Sequence, residues 1–247
     1  MITDEFFSSP PVMPAFQDAL SATSAAETLR QKTLVLLREA IVTGRLGPDQ
    51  RLVERDVCAQ TGVSRSSVRE ALRYLEADGL VESRGIKGMF VVRLSADEAR
   101  DIYELRMALE SAAAEHFAVR ATDAELAQLQ AIMEIIRLCF RENLNEYWRH
   151  GDLLFDLIMR GARNDVAYRM IKTVHTRIRY FRIVTTSLAD SDFRQGTVDR
   201  MAAITAALVQ RDGPVGAELI RKFIARAAKL AIDSLRLRDE ALDGSTS

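Results

Sequence analysis

The chain has 247 residues and a net charge of −1, from 34 Lys/Arg against 35 Asp/Glu, so bulk charge does not announce a nucleic-acid binder. Hydrophobic residues make up 48%, which is enough for real cores, and scarce glycine (12) and proline (5) favour helices over sheets. No apolar run approaches the roughly 20 residues of a bilayer span. The acidic opening MITDEFFSSPPVMPAF lacks the basic region of a secretory signal. Two cysteines, Cys58 and Cys139, make a disulfide scaffold implausible and fit a reducing cytosol. A cytoplasmic protein of one large or two smaller domains is expected, with no membrane contact.

Residues 1–23 read as an arm, broken by Ser8, Ser9, Pro10, Pro11 and Pro14. Ser24 and Glu27 form a capping box for a first helix, which has apolar positions at Leu34, Leu37, Ala40 and Ile41 and stops at Gly44. Gly47-Pro48-Asp49 is turn material. A short helix follows through Val57. Thr61-Gly62-Val63-Ser64 makes a tight turn, and Ser64 caps a helix that runs to about Asp78. The period then shortens. Leu80–Ser83 and Met89–Val92 read as strands joined across Arg84–Gly88, a β-hairpin. From Ser95 onward only helical signals appear. Ser95/Glu98 and Thr122/Glu125 are capping boxes, Asn164 is a cap, and Pro214 suits the first turn of a last helix. Six or seven helices are predicted over 96–238, followed by a tail over 239–247. The expected domains are therefore 24–93 and 96–238, and the fold is mainly α.

Local charge is uneven. Residues 24–93 carry 12 Lys/Arg against 9 Asp/Glu, whereas residues 94–247 carry 22 against 23. Within 64–78, Val68, Ala71, Leu72 and Leu75 fall on one helical stripe. Ser66, Arg69 and Arg73 lie opposite, with Arg65 beside them. Guanidinium can bond guanine O6 and N7 bidentately, and serine hydroxyls suit phosphate. Such a helix alone also reads as a solvated surface helix. What favours DNA is the order: short helix, glycine turn, arginine helix, then a hairpin with Arg84 and Lys87 at its tip. That is the order of a winged helix-turn-helix.

The stretch LVERDVCAQTGVSRSSVREALRYLEADGLVESRGIKGMFV closely resembles the DNA-binding domain of the GntR family, with Val57 where the family has its usual helical leucine. The resemblance implies a double-stranded operator as partner. It implies Arg55, Arg65 and Arg69 as DNA-contacting arginines, Ser66 and Ser67 near phosphate, and Gly85 at the wing tip. DIYELRMALESAAAEHFAVRATDAEL resembles the opening helix of the FCD ligand-binding domain of the FadR subfamily. This second resemblance implies an antiparallel all-α bundle with a central effector cavity and a homodimer. It places Arg106 at the cavity, where the arginine can hold an effector carboxylate. A structural pair with Glu110 or Asp152 is the alternative.

Many FCD domains bind a divalent metal through one Asp and three His. Here the D-x-x-F-H segment reads Asp152-Leu153-Leu154-Phe155-Asp156, and the same register puts Met201 and Phe223 at the other two histidine positions. Carboxylates with a thioether and a phenyl ring are a poor zinc or nickel set. No metal site of the family type and no other cofactor is expected, although Asp152 and Asp156 could still hold a hard cation or accept hydrogen bonds from a ligand. Asp152, Asp156, Met201 and Phe223 join Arg106 as effector-cavity candidates; ordinary core packing is the alternative for Met201 and Phe223. The segment 173–182 could bring a base to the cavity or present a solvated face, and Trp148 could line a pocket or a dimer contact.

The chain thus reads as a ligand-gated regulator, expected to be a repressor with a small carboxylate effector. A constitutive DNA-binding dimer without effector is one alternative. An all-α enzyme with an accessory DNA-binding domain is another, disfavoured because no phosphate loop, metal cluster or nucleophile motif is found.

Overall fold

In a computed structural model, which describes residues 29–186 and 191–244, the chain divides into two units at the 93/94 boundary. The arm over 1–23 and the Ser24/Glu27 capping box lie outside the described residues.

The first unit opens with α1 (Leu29–Val42), whose buried face carries Thr33, Leu37, Ala40 and Ile41. Helix α2 (Glu54–Thr61) ends at Gly62, where φ is +70°. That left-handed residue lets the Gly62 amide close on the Cys58 carbonyl at 2.9 Å. Helix α3 (Arg65–Ala77) buries Val68, Ala71, Leu72 and Leu75, the predicted stripe, and α1 packs against it. An Arg38–Asp78 ion pair at 2.5 Å ties α1 to the end of α3.

The wing is a three-stranded antiparallel sheet in the order β1–β3–β2, made of β1 (Arg51–Leu52), β2 (Val81–Ser83) and β3 (Met89–Val91). Only β2 and β3 are visible as strands in the sequence. β1 is two residues long, and its pairing of Leu52 with Met89 is set by tertiary contact, not by a periodic pattern. The link between β2 and β3 is a single 3₁₀ turn, Gly85–Lys87.

The second unit is all-helical among its described residues, with α4 (Ala96–Arg120), α5 (Asp123–Cys139), α6 (Leu144–Gly161), α7 (Asp165–Thr186), α8 (Ser191–Val209) and α9 (Gly213–Gly244). The long helices α4 and α9 form its main packed pair. Thr122 and Glu125 form the predicted capping box on α5. Ser95 accepts from the Glu98 amide, but the Glu98 carboxylate goes to Arg177 instead of returning to the cap. Asn164 accepts from the Ala167 amide at 3.1 Å. Asn143 caps α6 in the same way, a signal the sequence reading missed. The last helix starts at Gly213, with Asp212 accepting from the Val215 amide, so Pro214 sits one place further in than predicted. It runs to Gly244, which corrects the tail expected over 239–247.

Arg211 seals the end of α4. Its Nη1 donates to the carbonyls of Ala118 and Ala121 at 3.1 and 3.0 Å, and its Nη2 donates to Asp123 at 2.9 Å. Those are carbonyls that a helix end otherwise leaves without partners. Where α6 passes α4, Gly161 has no side chain because the buried Phe117 ring occupies that space; a Cβ there would come within 2.5 Å of it.

Candidate functional site

Two sites emerge, one in each unit. In the first, Ser64 organises the start of α3. Its Oγ accepts from the Ser67 amide at 3.3 Å and lies 3.0 Å from the hydroxyls of both Ser66 and Ser67. These hydroxyls cluster where the positive end of the helix dipole lies, a setting suited to phosphate. Arg65, Ser66, Arg69 and Arg73 are exposed and Ser67 is half-buried, so the buried stripe leaves the basic face outward.

Arg69 is held in place. Its Nε and Nη2 donate to the two oxygens of Glu54 at 3.0 and 2.9 Å, a bidentate pair across α2 and α3. The bond from Arg69 holds the Glu54 carboxyl below its ordinary range. Glu54 was not among the residues singled out from the sequence; only its place one residue before Arg55 hinted at a role. Arg55 is exposed and pairs with its neighbour Asp56 at 3.2 Å.

The wing tip presents Gly85, Ile86 and Lys87, all exposed. Gly85 adopts φ +59°, which turns the chain there. Arg84, read from the sequence as a DNA contact at this tip, is engaged within the wing. Arg84 turns back to Asp49 at 2.5 Å and Glu82 at 2.6 Å and lies over the Phe90 ring at 4.6 Å. Two carboxylates and an aromatic face hold it at the base of the wing. In its place the tip shows Ile86, which is fully exposed and which sequence reasoning passed over.

The second site is a cavity of about 110 Å³ in the helical unit. It brings together Arg106 of α4, Asp152 of α6, Met201 of α8 and Phe223 of α9, four of the five residues predicted for it. Asp156 is the exception. It does not line the cavity; its carboxylate accepts from the Tyr168 hydroxyl at 2.8 Å and pairs with Arg160 at 2.7 Å. A residue four places on is rotated by about 40°, and those two partners on the flank draw it away. Asp152 pairs with Arg179 at 3.5 Å. Trp148 also lines the cavity, while Arg177 bonds Glu98. The side chain of Arg182 lies outside the described residues.

Arg106 is fully engaged in charge terms. Its Nε donates to Glu110 at 2.6 Å and its Nη2 at 3.3 Å, and Glu110 also meets His175 Nε2 at 2.8 Å. Burial alone would raise the Glu110 carboxyl, but Arg106 and His175 together outweigh it and hold it below the ordinary range. Burial would likewise lower Arg106, and Glu110 reverses that. The guanidinium also lies near the rings of Phe155, Phe223 and Tyr103, at 5.3, 5.9 and 5.9 Å. Nothing in the sequence singled out His175. Its partner Glu110 is 65 residues away, so no local pattern could have found the pair.

The residues do not fit the metal of the wider family. Asp152 is the one carboxylate lining the cavity and His175, bonded to Glu110, the one imidazole; Asp156 is engaged elsewhere, and a thioether and a phenyl ring stand at the other predicted positions. Among the described residues no group of three or more His, Cys, Asp or Glu is placed to hold a metal ion. Nor is any described helix long and apolar enough to cross a membrane.

Comparison with known proteins gives the same two parts. The profile of the bacterial regulatory proteins of the gntR family matches residues 29–91. The FCD domain profile matches residues 101–226, just over half of the chain. The HTH-type transcriptional repressor RspR of Escherichia coli (strain K12) is 28% identical over 191 residues, covering 76% of this chain and 82% of its own. The Uxu operon transcriptional regulator of the same strain is 27% identical over 231 residues, covering 86% and 85%. Among solved structures, E. coli McbR/YncC superposes with a TM-score of 0.74 at 18% identity, over 84% of this chain and 98% of that one. A GntR regulator from Rhodococcus sp. RHA1 gives 0.70 at 22%, over 83% and 97%. The relatives are named as regulators, not as enzymes. With both of its parts matched in order, the chain belongs to the GntR family of bacterial regulatory proteins and is a helix-turn-helix transcriptional regulator carrying an FCD domain.

Proposed function

We propose that the protein is a cytoplasmic repressor that binds a palindromic operator as a homodimer and is modulated by a small organic acid held in the cavity of its helical unit. The observation that carries the DNA half of this reading is the outward face of α3. Arg65 and Arg69 stand on it beside a serine cluster, with Lys87 exposed on the wing of the same unit. A helix buried along one stripe and basic along the other fits a major groove. Operator half-sites are normally read by two-fold dimers. The cavity supports the effector half, since it combines apolar walls with a few charged groups.

The test uses DNA selected by the wild-type protein from a random pool. Arg65→Ala and Arg69→Ala should each reduce affinity for that DNA by about one to two orders of magnitude and relax the selected sequence at one position per half-site. Lys87→Ala should weaken binding evenly across sequences and flatten the dependence on salt. Wild-type affinity and selectivity in both arginine variants would refute the assignment of α3. Light scattering on the same samples should give twice the chain mass.

A further inference from the structure

Among the described residues no carboxylate forms an ion pair with two of the cavity arginines, and we infer that Arg200 of α8 and Arg226 of α9 form the anion receptor of the cavity, built for a small organic acid with two carboxylates. This deepens the effector reading above and rests on it.

The charges lining the cavity sort into pairs with a remainder. Arg106 is matched by Glu110, and Asp152 by Arg179. Arg200 and Arg226 line the same space, and no described carboxylate forms an ion pair with either. The Arg200 Nη2 is buried and has no hydrogen-bond acceptor. Its guanidinium rests against Gly196, one turn back on α8, where a Cβ would lie 3.1 Å from Nη2 and 3.5 Å from Nη1. The bare glycine thus leaves the space that the guanidinium fills. Arg226 lies over the Phe193 ring at 5.0 Å.

Such an arrangement is costly when empty. The buried Nη2 of half-buried Arg200 loses hydration that no acceptor restores, and the like charge of the exposed Arg226 adds repulsion that Asp199 offsets only in part. Burial, and then the charge of Arg226, pull the Arg200 guanidinium below its ordinary value. A ligand that brings two negative charges removes both penalties, and the forked guanidinium matches a carboxylate bidentately. Phe155, Phe223 and Met201 supply the apolar walls for a short carbon body between the two acid groups. Arg106 then shapes the floor but does not anchor the charge, because Glu110 already holds it.

The test is calorimetry and thermal melting of the full-length protein with malonate, succinate, glutarate and adipate as probes. Matched monocarboxylates and inorganic phosphate run alongside. At least one dicarboxylate should bind and raise the melting temperature, at least tenfold more tightly than its monocarboxylate match. Arg200→Gln and Arg226→Gln should each weaken it by a further tenfold or more. A purely structural role would not produce the companion result: without ligand, Arg200→Gln should melt at or above wild type, because an uncompensated charge has been removed. Phosphate binding better than every dicarboxylate, equal binding of monocarboxylates, or ligand-free destabilisation of the Arg200→Gln protein would each overturn the inference. If no acid binds but a neutral compound changes operator affinity, the effector reading stands and this one fails. If nothing tried binds or changes operator affinity, both fail.

Discussion

Glu110→Ala is expected to destabilise the helical unit by about 3–5 kcal/mol, the cost of leaving a buried charge without its partner. Glu110 is 1% exposed and Arg106 6%, so water cannot replace what the substitution removes. His175 loses its acceptor in the same step. Glu110→Gln keeps the shape and an acceptor oxygen but not the charge, and should fall between wild type and Ala. Replacing both members, Arg106→Met with Glu110→Leu, should recover much of the loss, because buried ion pairs contribute little net stability over apolar packing. The pH dependence follows from the same group. The folded carboxyl titrates below its ordinary value of 4.5. Its contribution is therefore fully present above that value and is lost as pH falls through the lower, folded one. Urea melts of wild type and Glu110→Gln, compared between neutral pH and pH 4, should converge on acidification. A gap that stays constant would show that the charge of Glu110 is not what stabilises the unit.

Phe117→Ala should cost a similar amount, about 3–5 kcal/mol, because a fully buried ring is removed where α4 meets α6. The reciprocal change tests the same contact. Gly161→Ala places a methyl group 2.5 Å from the ring, which neither a packed helix nor a buried phenyl can yield to freely. It should cost about 1–3 kcal/mol by overpacking. Gly161→Ala combined with Phe117→Leu should be less damaging than the sum of the two single changes, since the smaller side chain gives back room for the methyl group. Differential scanning calorimetry gives the three values; strict additivity would mean the two residues do not share the space assigned to them.

The winged helix-turn-helix was legible because each local signal agreed with the next. Gly62 stops one helix, Ser64 caps another, and the spacing of Val68, Ala71, Leu72 and Leu75 leaves only one face to bury. β1 was invisible because two residues carry no period. The internal partners of Arg84 were hidden for a related reason: Asp49 and Glu82 were in view, but their meeting depends on the strand register that β1 helps to set. In the helical unit, resemblance indicated the cavity neighbourhood of Arg106, Asp152, Met201 and Phe223. It did not reveal which charges neutralise one another there. Asp156, assigned from the same resemblance, lies outside the cavity with Arg160 and Tyr168. Arg200 and Arg226 carried no motif at all. Their interest lies in forming no ion pair with a described carboxylate, a property that only the packed neighbourhood reveals.

The bidentate bond between Arg69 and Glu54 changes what the DNA-facing surface contributes to non-specific attraction. A guanidinium closed on an internal carboxylate is electrically neutral at a distance, so it displaces no condensed cation from the phosphate backbone. On the reading proposed above, Arg65 and Lys87 would carry the attraction to non-cognate DNA while Arg69 stays shut. Only a base edge that offers two well-placed acceptors competes with the two oxygens of Glu54. On that reading Glu54 is an internal competitor for Arg69, one that opposes most strongly the sequences offering fewer than two acceptors.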